Sequence, residues 1–245
     1  MTASPTFNWP APSGFPTWNH GEVHVWCAWL DQPGLGFEAA VHLLCAAERA
    51  RARAFHFDRD RDRFVAGRTI LRQLLGGYLD HDPATLAFTY GRLGKPALAP
   101  PFASWEFNLT HAGPLALFAI TRGRPVGIDL EAEQELDDLP VLERQIFAPT
   151  DLARQQALPD AERRRAFFRR WTEFEAVGKA RGVGLDLDAP FSTAHPSSFH
   201  LETIEPCKGY AGALAASGAA PRLRFFQWTR DGQQTRGSHT AITAA

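Results

Sequence analysis

One stretch of the chain, RRWTEFEAVGKARGVGL (169–185), carries an acid and a base one helical turn apart. Glu175 and Lys179 are four residues apart, so they lie on one face of a helix, and Trp171 lies on the neighbouring apolar side. On an exposed helix such a pair is only a surface contact worth about 0.2–0.5 kcal/mol. In a site, the carboxylate could bind a metal ion or accept a proton, and the ammonium could meet a phosphate oxygen.

A second acidic pattern occurs in PVGIDLE (125–131). On a strand, Asp129 and Glu131 point to the face opposite Ile128, and Gly127 clears space beside them. Two neighbouring carboxylates repel each other, and either a raised pKa or a divalent cation relieves the repulsion. Oxygen ligands of this kind suit Mg²⁺, with Glu175 as a third ligand. The alternative is a strand end with a solvated acidic face.

Two short loops add possible anion donors. FNLTHAGP (107–114) predicts a strand followed by a turn that holds Thr110 and His111, both able to donate hydrogen bonds to an anion. A loop histidine is commonly only a surface residue. Lys95 stands in GKP (94–96), which by itself indicates a turn and no more.

The elements that must position these residues follow one order twice: a strand, then helices, then short strands. Helices are predicted at 38–53, 60–79, 139–157 and 161–181. Strands are predicted at 22–30, 86–90, 105–109, 115–120, 125–131, 199–204, 210–216 and 222–228. This order predicts an α+β fold of two similar halves, 1–122 and 123–245, in pseudo-twofold arrangement with the active site in the cleft between them. One continuous domain with a large sheet is the alternative.

Composition excludes several classes of protein. The 245 residues are 44% hydrophobic and 22% charged, and the net charge of −1 provides no overall field that would attract nucleic acid or an anionic membrane. No apolar stretch is long enough to span a bilayer, and the N-terminus does not have the pattern of a signal peptide. Three cysteines without metal-site spacing fit a reduced environment, so we expect a cytoplasmic protein.

Taken in order, GKP, FN-x-[TS]-H, VGIDLE and F-x-x-x-WT-x-x-EA-x-x-K-x-x-G-x-GL resemble the signature of 4′-phosphopantetheinyl transferases of the surfactin-synthetase-activator type. The resemblance covers roughly residues 48–190, and its last two motifs together are quite specific. It implies an enzyme that, with Mg²⁺, moves the phosphopantetheine arm of coenzyme A onto a serine of an apo acyl or peptidyl carrier protein and releases 3′,5′-ADP. Such carriers serve fatty-acid, polyketide or nonribosomal-peptide synthesis.

The resemblance also implies roles for individual residues. Asp129, Glu131 and Glu175 match the metal-binding carboxylates, and Glu175 is the candidate base, directly or through a metal-bound water. The matches to coenzyme contacts are Lys179 and His111 at the diphosphate, Lys95 in GKP, and Arg51 and Arg63 at the nucleotide end. The alignment of the two arginines is looser, because their segment has no fixed motif. We expect a monomer, since two fused halves complete the site.

Phe174 departs from the family pattern, in which many members carry Lys immediately before the metal-binding Glu. We expect altered coenzyme affinity or partner choice rather than loss of activity. ERRRAFFRR (162–170) offers a basic surface for an acidic carrier, or a solvated arginine face. Two rival functions remain open: another Mg²⁺-dependent phosphoryl enzyme, such as a nuclease or phosphohydrolase, and a non-catalytic coenzyme-binding module.

Overall fold

The computed structural model describes residues 9–183 and 198–230. The strands are β1 (Glu22–Trp29), β2 (Phe88–Tyr90), β3 (Pro96–Leu98), β4 (Trp105–Ala112), β5 (Leu115–Arg122), β6 (Val126–Ala132), β7 (Phe199–Ile204), β8 (Tyr210–Ser217) and β9 (Arg222–Gln227). The helices are α1 (Phe37–Ala40), α2 (Ala46–Arg53), α3 (Asp58–Leu79), α4 (Leu139–Ile146), α5 (Pro149–Gln156) and α6 (Asp160–Arg181). The fold is therefore mixed α and β, as the sequence predicted. Within the described residues no helix is both long enough and apolar enough to cross a membrane.

Two larger sheets organise the molecule, in the orders β4-β5-β1-β9 and β6-β8-β7. In each sheet the second strand of an antiparallel hairpin, β5 or β8, lies between its hairpin partner and the strand that precedes the helices. Strand β9 returns from the end of the described chain to pair in parallel with β1. The first sheet is thus built from residues on both sides of position 122.

The two sheets share a core and are each covered by one long helix. Apolar side chains of β1 and β5 meet those of β6 and β8 in one cluster that includes Val25, Leu117, Ile128 and Leu214. On the far side of the first sheet, α3 packs Ile70 and Leu74 against Trp26 and Phe118, among others. On the far side of the second sheet, α6 packs against β8 through small residues (Ala176, Ala180, Ala213 and Ala215). The order of layers is helix, sheet, sheet, helix.

Two predicted helices are divided in the structure. The stretch 38–53 becomes α1, a 3₁₀ turn at Val41–Leu43, and α2. The stretch 139–157 becomes α4 and α5, because Pro149 disfavours a helical conformation at Ala148, which is extended (ψ 150°) and caps α5. The local composition favours helix throughout both stretches, but a break in the backbone divides each of them into two shorter helices.

The predicted position of His111 in a turn was wrong. Strand β4 continues to Ala112 and pairs with β5 as far as His111 opposite Ala116 and Ala112 opposite Leu115. Only Gly113 and Pro114 connect the two strands, and Gly113 adopts a positive φ of 56°, which glycine allows without strain. Thr110 and His111 therefore belong to a paired strand, and successive side chains point to opposite faces of it.

Gly127 allows α6 to lie directly on β6. A Cβ at this position would be 2.0 Å from the backbone oxygen of Ala176 and 2.4 Å from the backbone nitrogen of Ala180. We therefore predict that Gly127→Ala lowers the free energy of unfolding by about 2 kcal/mol or more, because the helix backbone must move away. Urea denaturation measures the change.

Gly67 provides the matched control. It lies inside α3, where a Cβ would have open space around it, and its φ is not positive. Gly67→Ala should leave the free energy of unfolding unchanged or raise it by up to about 1 kcal/mol, because alanine favours helix. Similar effects at both positions would contradict a specific close approach at Gly127.

Candidate active site

Strand β4 of the first sheet lies alongside β6 of the second, and a side chain joins them. Asn108 Oδ1 accepts a hydrogen bond from the backbone nitrogen of Ile128 at 2.8 Å. Thr110, two residues further along β4, points the same way and reaches Asp129. The site therefore forms where an edge strand of each sheet and helix α6 meet.

Asp129 is at the centre of this meeting point and is only 3% exposed. Its Oδ1 accepts hydrogen bonds from Lys179 Nζ at 2.5 Å and from Thr110 Oγ1 at 3.2 Å. Its Oδ2 is buried and has no hydrogen-bond partner among the described residues. A buried carboxylate oxygen without a partner costs free energy, so this atom is ready to accept a ligand.

Glu131 and Glu175 border the same carboxylate. Partial burial is the main cause that raises the pKa of each, and the negative charge of Asp129 raises both further. Lys179 acts in the opposite direction on both pKa values, and a hydrogen bond with the Trp171 side chain also favours the ionised form of Glu131. Trp171 stacks on Phe167 at 6.0 Å between ring centroids. It therefore connects the acidic group formed by Asp129, Glu131 and Glu175 to the core. The acidic groups outweigh the nearby ammonium, and this balance favours an added cation.

The three carboxylates fit a hard divalent cation by their chemistry. They offer oxygen ligands, one of which is the unpartnered Oδ2 of Asp129. Within residues 9–183 and 198–230, no three His, Cys, Asp or Glu side chains already converge as a metal-binding group. Binding of a metal ion by Asp129, Glu131 and Glu175 would therefore require their side chains to draw together.

A cavity of about 300 Å³ opens beside these residues. Its polar lining consists of Lys95, Asn108, Glu175 and Lys179. Lys95 Nζ donates to the backbone oxygens of Val126 at 3.0 Å and Ala180 at 3.5 Å, and burial lowers the pKa of Lys95. The cavity thus presents two ammonium groups and a carboxylate to whatever enters it.

A second cavity of about 180 Å³ adjoins the first and shares Gly94 and Pro96 with it. Arg51 lies in its wall with its guanidinium 5.3 Å from the ring centroid of Phe64. Deeper in the same wall, the nearly buried Glu48 is ion-paired with Arg68 at 2.6 Å. The loop around Lys95 therefore separates a cavity beside the acidic group from one lined by arginine.

Arg63 and His111 lie apart from both cavity linings. Arg63 makes two hydrogen bonds to Asp31, at 2.7 and 2.6 Å. His111 is exposed on β4. Partial desolvation by the surrounding protein is the main cause that lowers its pKa, and the positive charge of Arg63 lowers it further. The structure brings Thr110, Asp129 and Lys179 together with the two glutamates, while His111 lies near Arg63 at the end of the strand.

Sequence reasoning missed two residues on the same face of β4. Asn108 joins the sheets and lines the larger cavity. Burial raises the pKa of Glu106, which lies close enough to Lys95 for their charges to interact. The alternation of side chains along WEFNLTHA places 106, 108 and 110 on one face, and this pattern could have identified both.

The end of α6 partly agrees with the predicted glycine-spaced turn. Gly182 ends the helix with φ 69° and ψ 20°, a left-handed conformation typical of a glycine C-cap. Gly184 and Leu185, the last residues of the motif, lie outside the described residues.

The arginines of 162–170 are balanced by glutamates. Five pairs bring nitrogen and oxygen atoms within 4 Å: Arg163–Glu143, Arg164–Glu135, Arg165–Glu133, Arg169–Glu205 and Arg170–Glu173. Arg163 joins α6 to a glutamate of α4 that is fully buried. The segment therefore helps to hold the helices together, and its surface charge is lower than its sequence suggests.

Comparison with known proteins identifies matches along most of the chain. Residues 28–122 match the family "4′-phosphopantetheinyl transferase, N-terminal", and residues 125–234 match the "4′-phosphopantetheinyl transferase superfamily". The 4′-phosphopantetheinyl transferase HetI of Nostoc sp. is 36% identical over 219 residues, which cover 84% of this chain and 92% of that protein. AcpT of Salmonella typhimurium is 30% identical over 147 residues, 58% of this chain and 72% of that protein. A Bacillus subtilis 4′-phosphopantetheinyl transferase is 27% identical over 167 residues, 67% of this chain and 73% of that protein.

The raised pKa of Glu175 predicts a pH-dependent effect on stability. A carboxyl group whose pKa is higher in the folded than in the unfolded protein destabilises the fold increasingly as pH rises between those two values. Glu175→Gln should therefore raise the free energy of unfolding at neutral pH in the presence of a chelator. The gain should disappear below the unfolded-state pKa of about 4.3.

Urea denaturation over a pH series measures this gain. Glu162→Gln, on an exposed position of the same helix, is the control and should show no gain. A stability difference for Glu175→Gln that does not change with pH would contradict the assigned electrostatic cause.

Proposed function

Since the chain belongs to the 4′-phosphopantetheinyl transferase superfamily and is therefore a transferase, we propose that it moves the 4′-phosphopantetheine arm of coenzyme A onto a serine of an apo acyl or peptidyl carrier protein. The reaction depends on Mg²⁺ and releases 3′,5′-ADP. One observation carries the proposal: the buried Asp129, with one oxygen lacking a partner among the described residues, lies beside Lys179, and Lys179 lines a cavity together with Lys95 and Glu175.

The charges in this cavity suit the transfer of a phosphoryl group. When bound by Asp129, Glu131 and Glu175, Mg²⁺ would offset the negative charge of the diphosphate. Lys179 and Lys95 line the same space and place two positive charges near the phosphate oxygens. Thr110 orients the group by donating its hydroxyl hydrogen to Asp129.

Glu175 is the proposed base. It lines the larger cavity, where the carrier serine would have to approach the diphosphate. A positioned base typically contributes about 10²–10⁴-fold to the rate. Glu175 would accept the proton of the carrier serine as the oxygen attacks the phosphorus atom and the bond to the leaving 3′,5′-ADP breaks.

The two adjoining cavities support one direction for the coenzyme. Its diphosphate would lie by Lys179 and Lys95, and its nucleotide end would extend past Gly94 towards Arg51. Arg51 lies in the lining of the smaller cavity, and a guanidinium group suits phosphate oxygens. His111 at the diphosphate and Arg63 at the nucleotide end are also proposed coenzyme contacts, and both lie outside the two cavity linings.

The proposed organisation is two similar halves, 1–122 and 123–245, related by a pseudo-twofold axis in a cytoplasmic monomer. The equivalent strand orders β4-β5-β1 and β7-β8-β6 support it. The site draws on both halves, through Thr110 on β4 and through Asp129 and Lys179 on β6 and α6. We also propose that the enzyme is of the surfactin-synthetase-activator type. In this chain Phe174 stands where many members of that family have a lysine. Phe174 packs against the apolar cluster of α4 and α6.

Intact-mass spectrometry tests the reaction. An apo carrier protein incubated with this enzyme, coenzyme A and Mg²⁺ should gain the mass of one phosphopantetheine arm, and a chelator should prevent the gain. Asp129→Ala and Glu175→Ala should each lower the rate by at least about 100-fold, because each removes a group of the reacting site. Lys208→Ala, at an exposed position in the turn before β8, should leave it unchanged. No mass gain with carriers of all three classes would overturn the proposal.

Steady-state kinetics test the position of the nucleotide end. Arg51→Ala should raise the KM for coenzyme A by about tenfold with little change in kcat, because loss of one charge-assisted contact costs about 1.5 kcal/mol or more. Arg53→Ala is the matched control, because Arg53 lies on the same helix against Phe37 and outside the cavity lining. Equal changes in KM for the two variants would contradict a specific role for Arg51.

A further inference from the structure

Lys179 places its ammonium where the acidic group needs a cation. Its Nζ lies 2.5 Å from Asp129 Oδ1 and 3.4 Å from Thr110 Oγ1. The Asp129 side chain is 4% exposed, whereas that of Lys179 is 31% exposed. The contact therefore joins a carboxylate that cannot reach water to an ammonium that can.

We propose that Lys179 is a placeholder for the divalent cation. It neutralises Asp129 until the metal ion binds, and it then turns to the diphosphate of coenzyme A. This inference rests on the proposed function and adds that one lysine serves two anions in succession. Lys179 is already in the lining of the larger cavity, so its side chain has space to turn into.

The positive charge of a bound metal ion opposes the contact between Lys179 and Asp129. A divalent cation on the carboxylates and an ammonium at 2.5 Å from one of their oxygens would repel each other strongly in this partly buried place. The metal ion and the Lys179–Asp129 contact therefore compete.

The ammonium of Lys179 also explains why the fold tolerates the nearly buried Asp129. A nearly buried carboxylate without a counter-charge destabilises a protein, and removal of one member of a buried ion pair is correspondingly costly. Lys179 supplies that charge, while Asp129 Oδ2 has no partner among the described residues and stays open to a ligand. The alternative is a permanent ion pair, which would persist when the metal ion is bound.

Titration with Mn²⁺ alone tests the inference. The free ion is measured by electron paramagnetic resonance, with neither coenzyme nor carrier present. Lys179→Met keeps the aliphatic stem and removes the charge, so it should bind Mn²⁺ at least about fivefold more tightly than the wild type, because the competing cation is gone. Lys208→Met, at an exposed lysine, should bind as the wild type does.

Either of two results would overturn the inference: unchanged or weaker Mn²⁺ binding by Lys179→Met, or no Mn²⁺ binding by the wild type. Since this titration contains no carrier and no coenzyme, it is independent of whether transfer succeeds. Failure of the transfer assay would count against the proposed function without changing the result of the titration.

Thermal unfolding separates a placeholder from a permanent ion pair. In the presence of a chelator, Lys179→Met should lower the unfolding midpoint by about 3 °C or more, because Asp129 loses its counter-charge. At saturating Mn²⁺ this deficit should close, since the metal ion takes the place of the ammonium. A deficit of equal size under both conditions would identify a permanent pair and overturn the inference.

Discussion

The close approach of helix α6 to strand β6 is the constraint on which the site depends. Because Gly127 has no side chain, the backbone of α6 at Ala176 and Ala180 can lie directly on the strand. Glu175 and Lys179 come from the same turns of that helix, and Asp129 is two residues beyond the glycine on the same face of the strand. The absence of a Cβ at position 127 thus allows Lys179 to come within hydrogen-bonding distance of Asp129.

That approach concentrates like charges in a place that water reaches poorly. Burial raises the pKa of both Glu131 and Glu175, and the charge of Asp129 raises both further. The ammonium of Lys179 stands against these carboxylates, while the ammonium of Lys95 donates to backbone oxygens of β6 and α6. Repulsion among these carboxylates therefore destabilises the folded protein, and a bound cation would offset this destabilisation.

The sequence predicted the parts of this site that depend on local periodicity. The period of two along VGIDLE correctly placed Ile128 in the core and Asp129 on the opposite face, and the four-residue spacing placed Glu175 and Lys179 on one face of a helix. It did not predict that His111 lies within a strand, because GP proved to be the whole turn between β4 and β5. The contact of Lys179 with Asp129 depends on residues fifty positions apart, and no local pattern encodes such a distance.

The arginines of residues 162–170 also show that local sequence does not reveal the partners of a side chain in space. A run such as ERRRAFFRR indicates a basic surface only if its partners in space are neutral, yet glutamates from α4, from the segments that follow β6 and β7, and from α6 itself pair with it. With a net charge of −1 and these arginines paired, long-range attraction of an acidic partner is weak, because paired charges cancel within a few ångströms.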